Sequence, residues 1–182
     1  HLTYPTTEDE INQGGYDVVF LQDQSQSAAQ VGSDRKKYAA NVTNMAAVAD
    51  KVRAVSEDCR VVLECTWAYA GKNYGGFSSV TEFYKNAGKG IKVMARAADA
   101  DVSPIRDAFR MANIERPDIL LFADDGYHQS EYGSYLKSCV NYLVLFGEPF
   151  GENPSDCGLD PKKTGALRKI AEDVVLGKKF CR

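Results

Sequence analysis

Four short runs rich in β-branched and other apolar residues, at 17–21 (DVVFL), 60–66 (RVVLECT), 101–105 (DVSPI) and 118–122 (DILLF), alternate with segments of helical periodicity. This alternation constrains the fold more than any other feature of the chain. A strand that is followed by a helix and then by another strand builds right-handed βαβ units, in which the sheet is parallel and helices cover both faces. The expected fold is therefore α/β, a three-layer αβα arrangement with a mostly parallel central sheet of flavodoxin-like type. Within 17–21 the apolar residues run on without alternating, the pattern of a strand covered on both faces and central in its sheet.

The helical segments are read from spacings of three and four. Tyr38, Val42, Met45, Ala49, Val52 and Val55 place one apolar stripe on a helix over 35–56. Val80, Phe83, Tyr84, Ala87, Ile91, Met94 and Ala95 repeat that spacing after the Gly-rich turn 71–76, interrupted by Gly88 and Gly90. A short helix is expected over 106–113. Ser130 can cap another, which stops at Gly147 and Pro149. A last one spans 164–176, with Leu167, Ile170, Ala171, Val174 and Val175 on one face.

With 182 residues, 44% of them hydrophobic, the chain can bury one sizeable core, and nothing in its composition divides it, so one domain over 1–182 is expected. Twenty-two basic and 25 acidic side chains give a net charge of -3. The signs are interspersed, with no basic run longer than the three residues 35–37, so neither nucleic acid nor an anionic membrane is an expected partner. No apolar run approaches the roughly 18 residues of a membrane span, and the reading is of a soluble mature form.

The cysteines are Cys59, Cys65, Cys139, Cys157 and Cys181. They show neither C-x-x-C pairing nor neighbouring histidines, so no zinc or other metal site is expected. Disulfides fit better, with Cys157 in a Gly/Pro/Asn loop and Cys181 beside the C-terminus placed to staple the tail. The odd count leaves one thiol over, either a buried structural cysteine or one that pairs with a segment outside this chain. Asn41-Val42-Thr43 is a glycosylation sequon. Together these features point to a secreted protein carrying a glycan at Asn41.

The chemistry concentrates in Asp125-Gly126-Tyr127-His128. His128 is the only histidine besides His1, and imidazole is the side chain suited to proton transfer near neutral pH. A carboxylate three residues earlier, across a glycine that permits a tight turn, can hold the ring in one tautomer, as the acid of a serine-hydrolase triad does. In parallel sheets the ligand crevice lies outside the carboxyl ends of the strands. Three segments leave strands there: 22–27 (QDQSQS), Trp67-Ala68-Tyr69, and 124–130 (DDGYHQS).

Four stretches, in this order, resemble the SGNH/GDSL esterase superfamily, in particular its bacterial-type members with a domain of unknown function: 16–25 (YDVVFLQDQS), 66–68 (TWA), 103–109 (SPIRDAF) and 124–136 (DDGYHQSEYGSYL). The resemblance covers about 16–176, and its last block is the most specific. It implies Asp125 and His128 as triad acid and base, Gln22 as an oxyanion-binding side chain, and Trp67 and Tyr69 as lining for the acyl or sugar pocket. The reaction it implies is hydrolysis of ester-linked acyl groups, acetyl groups on carbohydrate among them, without a metal or organic cofactor.

The chain departs from that pattern at its start. The family's Gly-Asp-Ser or Gly-Asn-Ser nucleophile precedes the block matching 16–25, whereas residues 1–15 contain no serine and no strand-like run. Three explanations stay open. The nucleophile lies on a missing or separately cleaved N-terminal fragment of the same precursor, which the odd cysteine favours and which would leave this chain without its first strand. Alternatively Ser25 is the nucleophile, since Asp23-Gln24-Ser25 resembles the Gly-Gln-Ser opening of some acetylesterases. In the third, the nucleophile is lost and the fold serves as an inactive binding module for a glycan or protein partner.

Overall fold

In the computed structural model, residues 4–70 and 74–177 are described. They group into two units, one from His1–Cys65 and Phe77–Val102, the other from Thr66–Gly76 and Ser103–Arg182.

The first unit carries the sheet. β1 (Val18–Leu21) and β2 (Arg60–Glu64) are parallel, with Val18 opposite Arg60 and Leu21 opposite Leu63. β3 (Asp101–Ser103) completes the order β1-β2-β3. The continuous run 17–21 is thus an edge strand rather than the central one, and all four β1 side chains are only half-buried. β2 takes the centre, with Val61, Val62 and Leu63 buried. Both runs are apolar enough for either place; rank within a sheet is decided by pairing partners distant in sequence.

Four helices belong to this unit among the described residues. α1 (Pro5–Gln13) has no buried residue, so no apolar stripe announces it. Its proline occupies the first turn, where no N–H is needed, and Glu8 ion-pairs with Lys51 of α3. A short helix that the sequence patterning does not announce, α2 (Ser27–Ser33), precedes α3 (Ala39–Val55), which is the helix expected over 35–56. Asp34 ends the first by accepting hydrogen bonds from the Lys36 and Lys37 amides at 3.1 and 3.0 Å. Such side-chain bonds compete with helix propagation. α4 (Val80–Ala98) begins with Ser79 accepting from the Glu82 amide while the Glu82 carboxylate accepts from the Ser78 amide.

α4 runs unbroken through Gly88 and Gly90, and Gly90 explains why a glycine is tolerated there. A Cβ on Gly90 would lie 1.8 Å from the Ala28 carbonyl oxygen, and one on Gly32 would lie 1.9 Å from that of Asn86. α2 and α4 therefore cross backbone to backbone, an approach that only residues without side chains permit.

The second unit packs α5 (Ile105–Glu115), α6 (Glu131–Phe146) and α7 (Pro161–Val175) around Phe109, Leu121, Leu136, Leu143, Leu167 and Ile170. α6 starts at the Ser130 cap and stops at Gly147, as the sequence predicts. The strand expected over 118–122 is not formed. Ile119 and Leu121 are buried while Leu120 is 75% exposed, a strand-like alternation, but the segment makes only the antiparallel bridge Phe122 to Gln129.

Among the described residues the expected disulfides are absent: none of Cys59, Cys65, Cys139 and Cys157 forms one. Three of them are buried, where a thiol packs as a small apolar group. Cys181 lies outside the described residues, as do 71–73 of the Gly-rich turn. No described helix is long and apolar enough to cross a membrane.

Candidate active site

Segment 123–130 folds back on itself by local hydrogen bonds. The Ala123 amide donates to the His128 carbonyl at 2.9 Å, and the Gly126 amide donates to that of Ala123 at 2.9 Å. Gly126 sits at φ 69°, a left-handed conformation that costs other residues energy. Asp125 closes the turn from inside: its Oδ1 accepts from the Tyr127 and His128 amides at 2.8 and 2.9 Å. Its other oxygen, Oδ2, lies 2.6 Å from His128 Nδ1. One carboxylate thus shapes the turn and orients the ring.

These contacts stabilise the ionised carboxylate. The hydrogen bond with His128, followed by those from the Tyr127 and His128 amides, lowers the pKa of Asp125 from 3.8 to about 2. The His128 side chain is 82% exposed, so its Nε2 edge is open to a reacting group. A ring fixed at Nδ1 by a carboxylate and accessible at Nε2 can accept a proton and return it.

The turn is held from the side by the segment that follows β2. Trp67 is buried, stacks on Phe109 at 4.3 Å and 12°, and donates its indole N–H to the Tyr127 carbonyl at 3.1 Å. The Ala70 amide donates to the Gly126 carbonyl at 2.8 Å. Tyr69 meets Tyr127 edge to face at 4.7 Å. Asp125, His128, Trp67 and Tyr69, singled out separately in the sequence, are therefore brought together in the second unit. Tyr127, given no role in the sequence reading, joins them.

Gln22, Ser25 and Asn41 lie in the first unit. Gln22 is exposed directly after β1, and Ser25 is half-buried in the turn before α2. That turn is built by the Gln24 amide donating to Asp23 Oδ1 at 2.7 Å and the Gln26 amide to Gln24 Oε1 at 2.9 Å. Asn41, in the first turn of α3, donates its amide nitrogen to Ser27 Oγ at 3.0 Å and Asp23 Oδ2 at 3.3 Å. The atom a glycan would take is engaged with the 22–27 segment.

Beside the turn, a cavity of about 890 Å³ runs along α6 from Gln129 and Ser130 to Tyr142 and is walled on its other side by residues between Phe150 and Leu159. Tyr135 anchors that wall by donating its hydroxyl to the Ser155 carbonyl at 2.9 Å, while Arg168 bonds both Tyr135 and Asp156. The groove escaped the sequence reading. A signal was present in Ser130, Ser134, Ser138 and Tyr142, each four residues on from the last and so on one face of a helix. Among the described residues no group of three or more His, Cys, Asp or Glu could hold a metal ion.

Two solved structures share this architecture. A DUF4886 family protein from Bacteroides uniformis superposes with a TM-score of 0.75 at 22% identity, covering 93% of this chain and 66% of the other. A protein from Slackia heliotrinireducens assigned to the SGNH hydrolases gives 0.61 at 20%, covering 78% and 72%. The fold is SGNH-like. At these identities the likeness is one of fold, and the chain spans just under two thirds of the DUF4886 protein's length. No family model and no curated protein matches the sequence. An SGNH-like αβα fold accounts for the small parallel sheet and for the alternation of strands and helices from which it was expected.

Proposed function

We propose that this chain contributes the acid and base of a serine-type ester hydrolase acting on ester-linked acyl groups, acetyl groups on carbohydrate among them. The observation that carries the reading is the 2.6 Å approach of His128 Nδ1 to Asp125 Oδ2 with the opposite ring edge exposed. In the reaction, His128 Nε2 takes the proton of a serine hydroxyl as its oxygen attacks the ester carbonyl. The proton then passes to the departing alkoxide, and the same steps with water in place of serine release the acid. Asp125 keeps Nδ1 protonated and balances the imidazolium. The Gln22 side chain, at the exit of β1, supplies an oxyanion donor of the kind worth a few kcal/mol to the transition state.

The nucleophilic serine, in this reading, comes from a segment of the same precursor outside these 182 residues. The edge position of β1 supports it, since a further strand can pair there. Ser25 is the alternative within the chain. A fluorophosphonate probe and a short-chain aryl acetate test the proposal on the full-length native protein. Covalent labelling at a serine, with hydrolysis abolished by His128→Ala, is expected. Absence of both labelling and hydrolysis refutes the esterase and leaves a binding module; labelling of the isolated chain at Ser25 moves the nucleophile into the first unit.

A further inference from the structure

The groove along α6 has a chemical character that the hydrolase reading does not use. Its volume, about 890 Å³, falls within the ~300–1,000 Å³ typical of ligand sites. Its lining contains one carboxylate, Glu131, and no Lys, Arg or His. Phosphates, sulfates and carboxylates would find no countercharge there, and a cation would meet a single exposed carboxylate. Ser134 and Ser138 on one wall and Asn153 on the other offer hydroxyl and amide groups, which a bare hydrocarbon chain would leave unsatisfied.

Aromatic rings form the far end. Tyr142 stacks on Phe150 at 5.2 Å and 20° and lies 4.8 Å from Phe146. Tyr142 is 40% and Phe146 63% exposed. Exposed aromatic rings grouped beside a groove mark a surface that receives an apolar face. One common ligand class combines flat apolar C–H faces, a rim of hydroxyls and no charge. We propose that the α6 groove binds a neutral oligosaccharide, with a sugar ring on Tyr142 and its hydroxyls bonded to Ser134, Ser138 and Asn153.

Because Gln129 and Ser130, which line the groove, directly follow His128 in the chain, the saccharide is the group that carries the ester in the hydrolase reading. Only that assignment as substrate rests on the hydrolase reading; binding stands separately. The test follows amide shifts of the isotopically labelled chain on addition of cellotetraose, xylotetraose or chitotetraose. At least one should move the signals of Ser134, Ser138 and Asn153. Tyr142→Ala should weaken that binding at least about tenfold, as loss of an aromatic anchor does, while Tyr142→Phe keeps it. If none of the three shifts those signals at about 10 mM, where even contacts worth only ~3 kcal/mol register, the proposal fails. It fails equally if Tyr142→Ala binds as tightly as the native chain. Binding without ester hydrolysis would remove the hydrolase and leave the groove; hydrolysis without binding would do the reverse.

Discussion

Asp125 reaches His128 twice, through its backbone amide at 2.9 Å and through ring Nδ1 at 2.6 Å. The carboxylate that orients the imidazole also builds the turn on which the imidazole stands, and substitutions can separate the two roles.

Asp125→Asn keeps an oxygen for the Tyr127 and His128 amides, so the turn is retained, but it favours the wrong imidazole tautomer. On the proposed mechanism kcat on an aryl acetate should fall by about 10³–10⁴ with little change in KM, as in serine-hydrolase triads. Asp125→Ala should lose the turn as well, which would appear as altered amide shifts at Tyr127 and His128 in the absence of substrate.

The acid side of the pH profile follows from the depressed pKa of Asp125. The folded value, about 2, lies below the ordinary 3.8. The ionised form is therefore the one the fold favours, and its stabilisation is present above the unfolded value and lost as pH falls from about 3.8 through about 2. A ¹³C titration of the Asp125 carboxyl should show a midpoint near the lower value, accompanied by weakened protection of the Tyr127 and His128 amides. An ordinary midpoint would contradict the geometry.

Gly90→Ala and Gly32→Ala should each destabilise the chain by about 2–3 kcal/mol, the magnitude of overpacking in a tight interior. The added methyl would collide with a carbonyl oxygen of the facing helix at 1.8 and 1.9 Å respectively. Gly88→Ala, on the same helix, should be neutral or slightly stabilising, since alanine is the better helix former. Urea unfolding of the three variants makes the comparison.

The thiols should differ in reactivity. Burial pushes Cys139 up to about 12, so it stays protonated and inert at pH 8, whereas Cys157 is exposed. Brief treatment of the native chain with iodoacetamide followed by peptide mass mapping should find Cys157 alkylated and Cys139 intact. Denaturation should expose both.

What the sequence revealed and what it hid divide along physical lines. α6 was legible from end to end because its signals are local, a serine cap, an apolar stripe and a terminating glycine. The Asp125–His128 pair was legible because three residues and one glycine suffice to make it. The edge placement of β1 was not, because pairing with β2 rather than its own composition decides it. Nor was the failure of 118–122 to join a ladder, since its in-out pattern is that of a strand and only its single bridge betrays it. Gly90 read as an interruption of α4 because its reason lies on α2, far away in the chain. Trp67 was noticed as an aromatic after a strand, but its bond to the Tyr127 carbonyl depends on two segments that only the folded chain brings together.

The crossing of Gly32 over Gly90 also bears on the order in which the molecule assembles. α2 is short, and a helix of its length has little stability of its own in water, so it persists by docking on α4. That docking must wait until the intervening chain has closed, an entropic cost met before the contact is gained. The turn carrying Gln22 and Ser25, which leads directly into α2, is therefore tied to the docking of α2 on α4 rather than to local propensity.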